Sequence, residues 1–111
     1  MMRLLPIALV LSLMLAVAAP AAVAKTRAVK IGDNYFVRKG STPTVTVKKG
    51  TTVRWNWTGR HQHNVVGSGP ASFNSNVKKS GHYSRKFKKA GTYNVFCSIH
   101  AGMEMKLRVK K

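Results

Sequence analysis

The sequence predicts an all-β fold, and the most economical arrangement is an antiparallel β-sandwich of seven to eight strands. Two observations predict it. After residue 24, apolar side chains recur at every second position in several runs, as expected for strands with one buried face. Turn-forming residues separate these runs, and no stretch there has the 3.6-residue period of an amphipathic helix.

The strands can be followed along the chain by these alternating residues. Residues 25–30 are expected to form a loose lead-in to the first strand. The residues expected on buried faces are, in order, Val45, Val47, Val53, Trp55, Trp57, Tyr93, Val95, Cys97, Met103, Met105, Leu107 and Val109. Turn signals lie at 48–50, 67–70, 80–81 and 90–91.

The first 24 residues are typical of an export signal. Arg3 gives a positive start, residues 4–17 are almost wholly apolar, and residues 22–24 form a small-residue cleavage pattern. The stretch is nearly long enough to be an uncleaved membrane anchor, but its alanine-rich end favours cleavage. We therefore expect a signal peptide at residues 1–24, a mature domain at residues 25–111 without stable membrane insertion, and a periplasmic location.

The composition is strongly basic. The chain has 20 Lys and Arg against 2 Asp and Glu, a net charge of +18, and losing Arg3 with the signal would lower this to +17. Such a field attracts anionic partners, although the same residues could equally be solvated outer faces. A polyanion-binding domain is a rival interpretation, but export argues against nucleic acid. With Asp33 and Glu104 as its acidic residues, the chain has no acidic pair for acid–base catalysis, and we expect no enzyme activity.

Four donor side chains follow a pattern that favours copper. Cys97, His100 and Met103 follow one another at intervals of three residues, and His63 lies upstream. Two His, one Cys and a weak Met make a trigonal copper site that transfers electrons. Small exported domains usually pair their cysteines, so ligation of a metal explains the single cysteine. His61 is either a solvent-facing neighbour or an additional contact for metal loading, and we favour the first.

Three motifs resemble those of the cupredoxins, the small blue copper proteins, and are similar to the plastocyanin and amicyanin patterns. They are His63-Asn64-Val65-Val66, Ala90-Gly91-Thr92-Tyr93 and Cys97-x-x-His100-x-x-Met103. The similarity extends from about Thr42 to Val109. The resemblance implies an eight-stranded Greek-key sandwich with one type 1 copper ion at one end.

The resemblance also implies roles for individual residues. The implied strong ligands are His63, Cys97 and His100, with Met103 as the axial ligand. Asn64 is implied to tie the two ligand-bearing loops together. Met105 is a second candidate for the axial position, but we prefer Met103 because Met105 fits the inward side of the last strand.

The function that the resemblance implies is single-electron transfer between redox proteins, with copper cycling between Cu(I) and Cu(II). We expect a monomer whose partners dock through an apolar patch around His100 and present acidic surfaces. The alternative is a copper carrier or storage protein with a more open site and no role in electron transfer. A thiol-protease dyad of Cys97 and His100 is a weaker interpretation, because three-residue spacing beside Met103 fits a metal better.

Overall fold

The computed structural model describes residues 25–111, which form nine β-strands in two sheets packed face to face. The strands are β1 (Thr26–Gly32), β2 (Tyr35–Phe36), β3 (Thr44–Lys48), β4 (Thr52–Trp57), β5 (Val66–Ser68), β6 (Phe73–Asn74), β7 (Gly81–Lys86), β8 (Gly91–Phe96) and β9 (Glu104–Lys110). One sheet has the order β2-β1-β4-β7, and the other has the order β3-β9-β8-β5-β6. The predicted all-β sandwich is confirmed.

Strict alternation of buried and exposed residues explains why these segments form strands. In β9 every second side chain, from Met105 to Val109, is buried, while Lys106 and Arg108 between them are exposed. Val45 and Val47 in β3 follow the same rule. Strands β3, β8 and β9 therefore place one face on the core and one in solvent, as their sequence period of two requires.

Three details differ from the sequence-based expectation. Residues 26–30 belong to β1 rather than to a loose lead-in, since β1 pairs along its length with β4. The described residues contain nine strands instead of seven or eight because β2 and β6 have two residues each, too few for a period to be visible. The sheets are mixed, with β1 parallel to β4 and β3 parallel to β9.

The parallel pairs follow from the path of the chain. Between β1 and β4 the chain makes the short strand β2 and then crosses to the other sheet as β3, so it re-enters the first sheet in the original direction. Alternating hydrophobicity reports which side of a strand is buried but carries no information about the direction of its neighbour.

An aromatic cluster joins the two sheets. Trp55 in β4 is fully buried, and its ring centroid lies 5.8 Å from that of Phe73 in the other sheet and 6.2 Å from that of Phe87. Tyr93 of β8 packs 5.1 Å from Phe87 in an edge-to-face arrangement. Aromatic pairs at such distances add stabilisation beyond the area they bury. The prediction that Trp55 and Trp57 are core residues is confirmed.

The strand order determines which loops can meet. The loop after β4 leaves the four-stranded sheet, and the loop between β8 and β9 belongs to the five-stranded sheet. These two loops contain the donor residues singled out in the sequence. The expected signal peptide lies outside the described residues. Within residues 25–111, the structure has no helix with the length and hydrophobicity needed to cross a membrane.

Candidate metal centre

A short closed loop carries three of the four candidate donors. Cys97 follows β8 directly on its inward side, and its backbone N–H donates to the carbonyl of Met103 at 3.0 Å. The N–H of Met103 donates in turn to the carbonyl of His100 at 3.2 Å. Gly102 adopts a φ of 79°, a left-handed conformation that favours glycine and lets the chain turn back into β9. The loop is therefore held by its own backbone.

The remaining donor, His63, lies in the segment between β4 and β5. It forms an isolated bridge with Lys78, with reciprocal backbone hydrogen bonds of 2.9 and 3.0 Å. Its carbonyl also accepts a hydrogen bond from the Trp57 indole Nε1 at 3.2 Å. Three hydrogen bonds therefore fix the backbone at His63, and its side chain is only 1% exposed.

Nitrogen and sulfur donors from the two loops converge on one point. His63 Nδ1 lies 3.2 Å from His100 Nδ1, and Cys97 Sγ lies 3.9 Å from the former and 3.6 Å from the latter. Two metal–ligand bonds to nitrogen, or one to nitrogen and one to sulfur, add up to about 4.0–4.4 Å. Each separation is below that sum, so one ion can touch all three atoms, and the residues fit a copper ion.

Both candidate methionines are buried, but their positions differ. Met103 is 2% exposed and precedes β9, inside the hydrogen-bonded loop that also contains Cys97 and His100. Met105 is a regular β9 residue that pairs with Val95 of β8. This placement agrees with the preference for Met103 as the axial residue, since it belongs to the same loop as the other donors.

Asn64 links the two loops through its side chain. Its Nδ2 donates to the Ser98 hydroxyl at 2.8 Å, and its Oδ1 accepts the backbone N–H of Ser98 at the same distance. Both amide atoms therefore contact a residue that directly follows Cys97. The implied role of Asn64 in tying the loops together matches this geometry.

The electrostatic surroundings favour a neutral His63. Burial, followed by the proximity of His100, lowers the pKa of His63 below its ordinary value, because both disfavour a charged ring. A neutral imidazole is the form that binds metals. Hydrogen bonds from the backbone, chiefly that of His61, lower the pKa of Asp33 and keep its carboxylate ionised near the site.

Sequence reasoning missed the position of Asp33. The carboxylate Oδ1 of Asp33 lies 3.6 Å from His63 Nε2, on the side of the ring opposite the metal-facing Nδ1. Asp33 is thirty residues away in the chain, and nothing in its local pattern indicates this contact. The signal that was available is its rarity, since it is one of two acidic residues in a chain with a net charge of +18.

The other histidines lie outside the donor cluster. His61 is exposed, with Nδ1 3.4 Å from Asn34 Oδ1, and it belongs to no metal-binding group among the described residues. This agrees with the preferred interpretation of His61 as a solvent-facing neighbour. His82 is also exposed, and its Nδ1 lies 3.1 Å from the Arg54 guanidinium on the outer face of the four-stranded sheet.

Nearly all of the described chain is similar to one family of known proteins. Residues 25–110 match the copper binding proteins of the plastocyanin/azurin family. A plastocyanin of Scenedesmus fuscus is 33% identical over 89 residues, which cover 70% of this chain and 91% of the plastocyanin. The expected resemblance is confirmed.

Solved structures give the same result for the fold. The oxidised form of an amicyanin variant with a proline replaced by alanine superposes with a TM-score of 0.63 at 31% identity, covering 85% of this chain and 90% of the amicyanin. The Cu(I) form of another amicyanin variant, with a methionine replaced by glutamine, has a TM-score of 0.62 at 30% identity. The match covers 77% of this chain and 82% of the amicyanin. These matches confirm the cupredoxin-like sandwich.

A larger protein shares the fold in one part of its chain. The copper-containing nitrite reductase of Thermus scotoductus has a TM-score of 0.67 at 26% identity, covering 87% of this chain but spanning only 25% of the reductase. Plastocyanin and amicyanin, in contrast, match over most of their lengths. The expectation of a non-enzymatic protein with a copper cofactor agrees with these full-length relatives.

Replacing Asn64 with alanine should weaken the connection between the loops. Asn64→Ala removes two hydrogen bonds and leaves the N–H of Ser98 without its acceptor, so we expect the metal-free protein to lose about 1–3 kcal/mol of unfolding free energy in urea. Asn94→Ala, on the exposed face of β8, is the matched control and should change stability by less than about 0.5 kcal/mol. Equal losses in both variants would contradict this role.

Proposed function

The chain belongs to the copper-binding plastocyanin/azurin family, and from this we propose that it is an exported type 1 copper protein that carries single electrons between redox partners. The observation that supports the proposal best is the mutual approach of His63 Nδ1, Cys97 Sγ and His100 Nδ1 within 4 Å in a largely buried cluster. A bound copper ion would supply one-electron chemistry by alternating between Cu(I) and Cu(II).

The residues of the site have distinct proposed roles. The strong ligands are His63, Cys97 and His100, and Met103 is the weak axial ligand. A buried thiolate at Cys97 needs a neighbouring cation, which the metal would provide. Because backbone hydrogen bonds hold both loops, the donors need little rearrangement when the charge at the site changes.

Burial of the donors favours electron transfer over metal delivery. His63, Cys97 and Met103 are at most 4% exposed, so the site is enclosed on all sides but that of His100. A protein that delivers copper needs a site from which the ion can be released readily. The alternative function as a copper carrier or storage protein therefore fits the burial less well.

The surface around His100 is the proposed docking site for redox partners. His100 is half-buried, and its neighbours Ile99, Ala101 and Gly102 are exposed, with Ile99 at 48%. An exposed apolar patch beside the proposed ligand offers a partner short access to the site. The high positive charge would steer partners with acidic surfaces toward the protein.

A periplasmic location is proposed from the amino-terminal pattern of residues 1–24. An exported domain with one cysteine avoids a free thiol if that cysteine binds metal. Amino-terminal sequencing of the exported protein should give Lys25 as the first residue. A chain that retains its apolar leader and stays with the membrane would contradict the proposal.

Copper(II) added to the purified protein should produce an intense blue colour and the narrow copper hyperfine splitting of a type 1 site. Both signals require the Cys97 thiolate, so Cys97→Ser should abolish the colour. Visible absorption and electron paramagnetic resonance spectra measure these outcomes. A pale protein that releases copper easily to a chelator would instead support the carrier or storage function.

Substitution of the two methionines should distinguish the axial ligand. Met103→Leu should change the copper spectrum and reduction potential, because it removes the thioether from the loop that carries Cys97 and His100. Met105→Leu is the matched control, since Met105 is equally buried but belongs to regular β9, and it should do little to either. A large effect of Met105→Leu with a small effect of Met103→Leu would reverse the assignment.

Association with an acidic redox partner should slow as salt is added. Between ionic strengths of about 0.01 and 1 M the Debye length falls from about 30 to 3 Å, so we expect the bimolecular rate to fall by about tenfold or more. Stopped-flow measurement of electron transfer gives this rate. A rate independent of salt would contradict electrostatic steering.

A further inference from the structure

The far side of the His63 ring presents a buried polar atom that needs a partner. Nδ1 faces Cys97 and His100, so the opposite nitrogen, Nε2, must carry the proton when Nδ1 binds a metal. Nε2 of His63 is buried and makes no hydrogen bond in the structure. Its nearest charged neighbour is the carboxylate of Asp33, with Oδ1 at 3.6 Å.

The carboxylate of Asp33 is held in this position by the chain around it. Oδ1 accepts the backbone N–H of Arg60 at 2.8 Å and that of His61 at 2.9 Å. Asp33 lies in the turn between β1 and β2, where the next residue, Asn34, adopts a left-handed φ of 72°. The loop that leads to His63 thus clamps the carboxylate through its own backbone.

Gly59 provides the space that the carboxylate occupies. A Cβ atom built on Gly59 would lie 2.1 Å from Asp33 Oδ1 and 2.5 Å from its Cγ, far inside contact distance. Gly59 is absent from the residues with positive φ, so its backbone does not demand glycine. The missing side chain is therefore explained by the approach of Asp33.

We propose that Asp33 is a positioning residue for His63, which holds the ring in the tautomer and orientation that direct Nδ1 to copper and tunes the reduction potential of the site. The proposal rests on the proposed function. A carboxylate beside the proton-bearing nitrogen makes an imidazole ligand more basic, and the more basic ligand stabilises Cu(II) more than Cu(I). Asp33 thereby lowers the reduction potential.

A simpler role for Asp33 is structural, as an acceptor for the two backbone N–H groups alone. Asp33→Asn separates the two roles, because asparagine keeps an oxygen that can accept both N–H bonds but removes the negative charge. The same oxygen then faces Nε2, but a neutral amide oxygen is a weaker acceptor than a carboxylate. The preference for the proton on Nε2 falls, and the tautomer with the proton on Nδ1, which cannot bind the metal, becomes more populated.

The test compares Asp33→Asn and Gly59→Ala in the full protein. The measurements are the His63 tautomer, from ¹⁵N NMR of the metal-free protein, and the affinities for Cu(II) and Cu(I). We expect Asp33→Asn to weaken Cu(II) binding by about 10- to 100-fold, to weaken Cu(I) binding less, and to shift His63 toward the Nδ1–H tautomer. Gly59→Ala displaces the carboxylate, so it should change the His63 tautomer and the copper affinities in the same direction as Asp33→Asn.

Glu104→Gln is the matched control. It removes the same charge from the other acidic residue, which is exposed at the start of β9. If it changes the affinity ratio as much as Asp33→Asn does, the effect is general electrostatics and the proposal is wrong. The proposal is also wrong if Asp33→Asn leaves the tautomer unchanged.

A double-variant cycle checks that Gly59 acts through Asp33. In the Asp33→Asn background, Gly59→Ala should have a smaller additional effect on the affinity ratio than it has alone, whereas independent effects would add and contradict the coupling. The tautomer measurement needs no copper. It therefore tests Asp33 even if the unaltered protein proved colourless with copper(II), an outcome that would count against the proposed function alone.

Discussion

The contact between two loops from different sheets is the interaction on which the rest of the site depends. The Asn64 side chain holds Ser98 with two hydrogen bonds of 2.8 Å, and this keeps His63 beside Cys97 and His100. Asn64 and Ser98 meet at a partly buried point between the loops, and their hydrogen bonds fix the relative position of the two chains there. Hydrogen bonds between protein groups thus position the donors.

Aromatic packing between the two sheets supports this arrangement. Trp55, Phe73, Phe87 and Tyr93 pack between the sheets at centroid distances of 5.1–6.2 Å and leave little freedom for one sheet to slide over the other. The same rigidity is transmitted to the loops at the end of the sandwich, because Cys97 continues directly from β8. Cys97 and Met103 themselves belong to the buried core, so the packing of the sheets also positions these two donors.

The sequence predicted the fold class and the group of His63, Cys97 and His100 correctly, but for different reasons. Alternation revealed the buried faces, since a strand with one solvated side must alternate. The cluster of Cys97, His100 and Met103 was recognisable because all three occur in one short loop. The parallel strand pairs and the β1 strand were missed, because pairing direction depends on the path between the sheets. Asp33 was missed because its contact with His63 joins segments thirty residues apart, through space that a glycine leaves open.

What the sequence by itself determined is chemical: soft donors at fixed spacing, one cysteine, a period of two along the strands and a strongly basic surface. Local spacing constrains these features, so they can be read without a structure. Only the tertiary structure decided which atoms face one another. It turned His63 so that one ring nitrogen meets Cys97 and the other meets Asp33. Such choices depend on packing between residues distant in the chain, which no local pattern records.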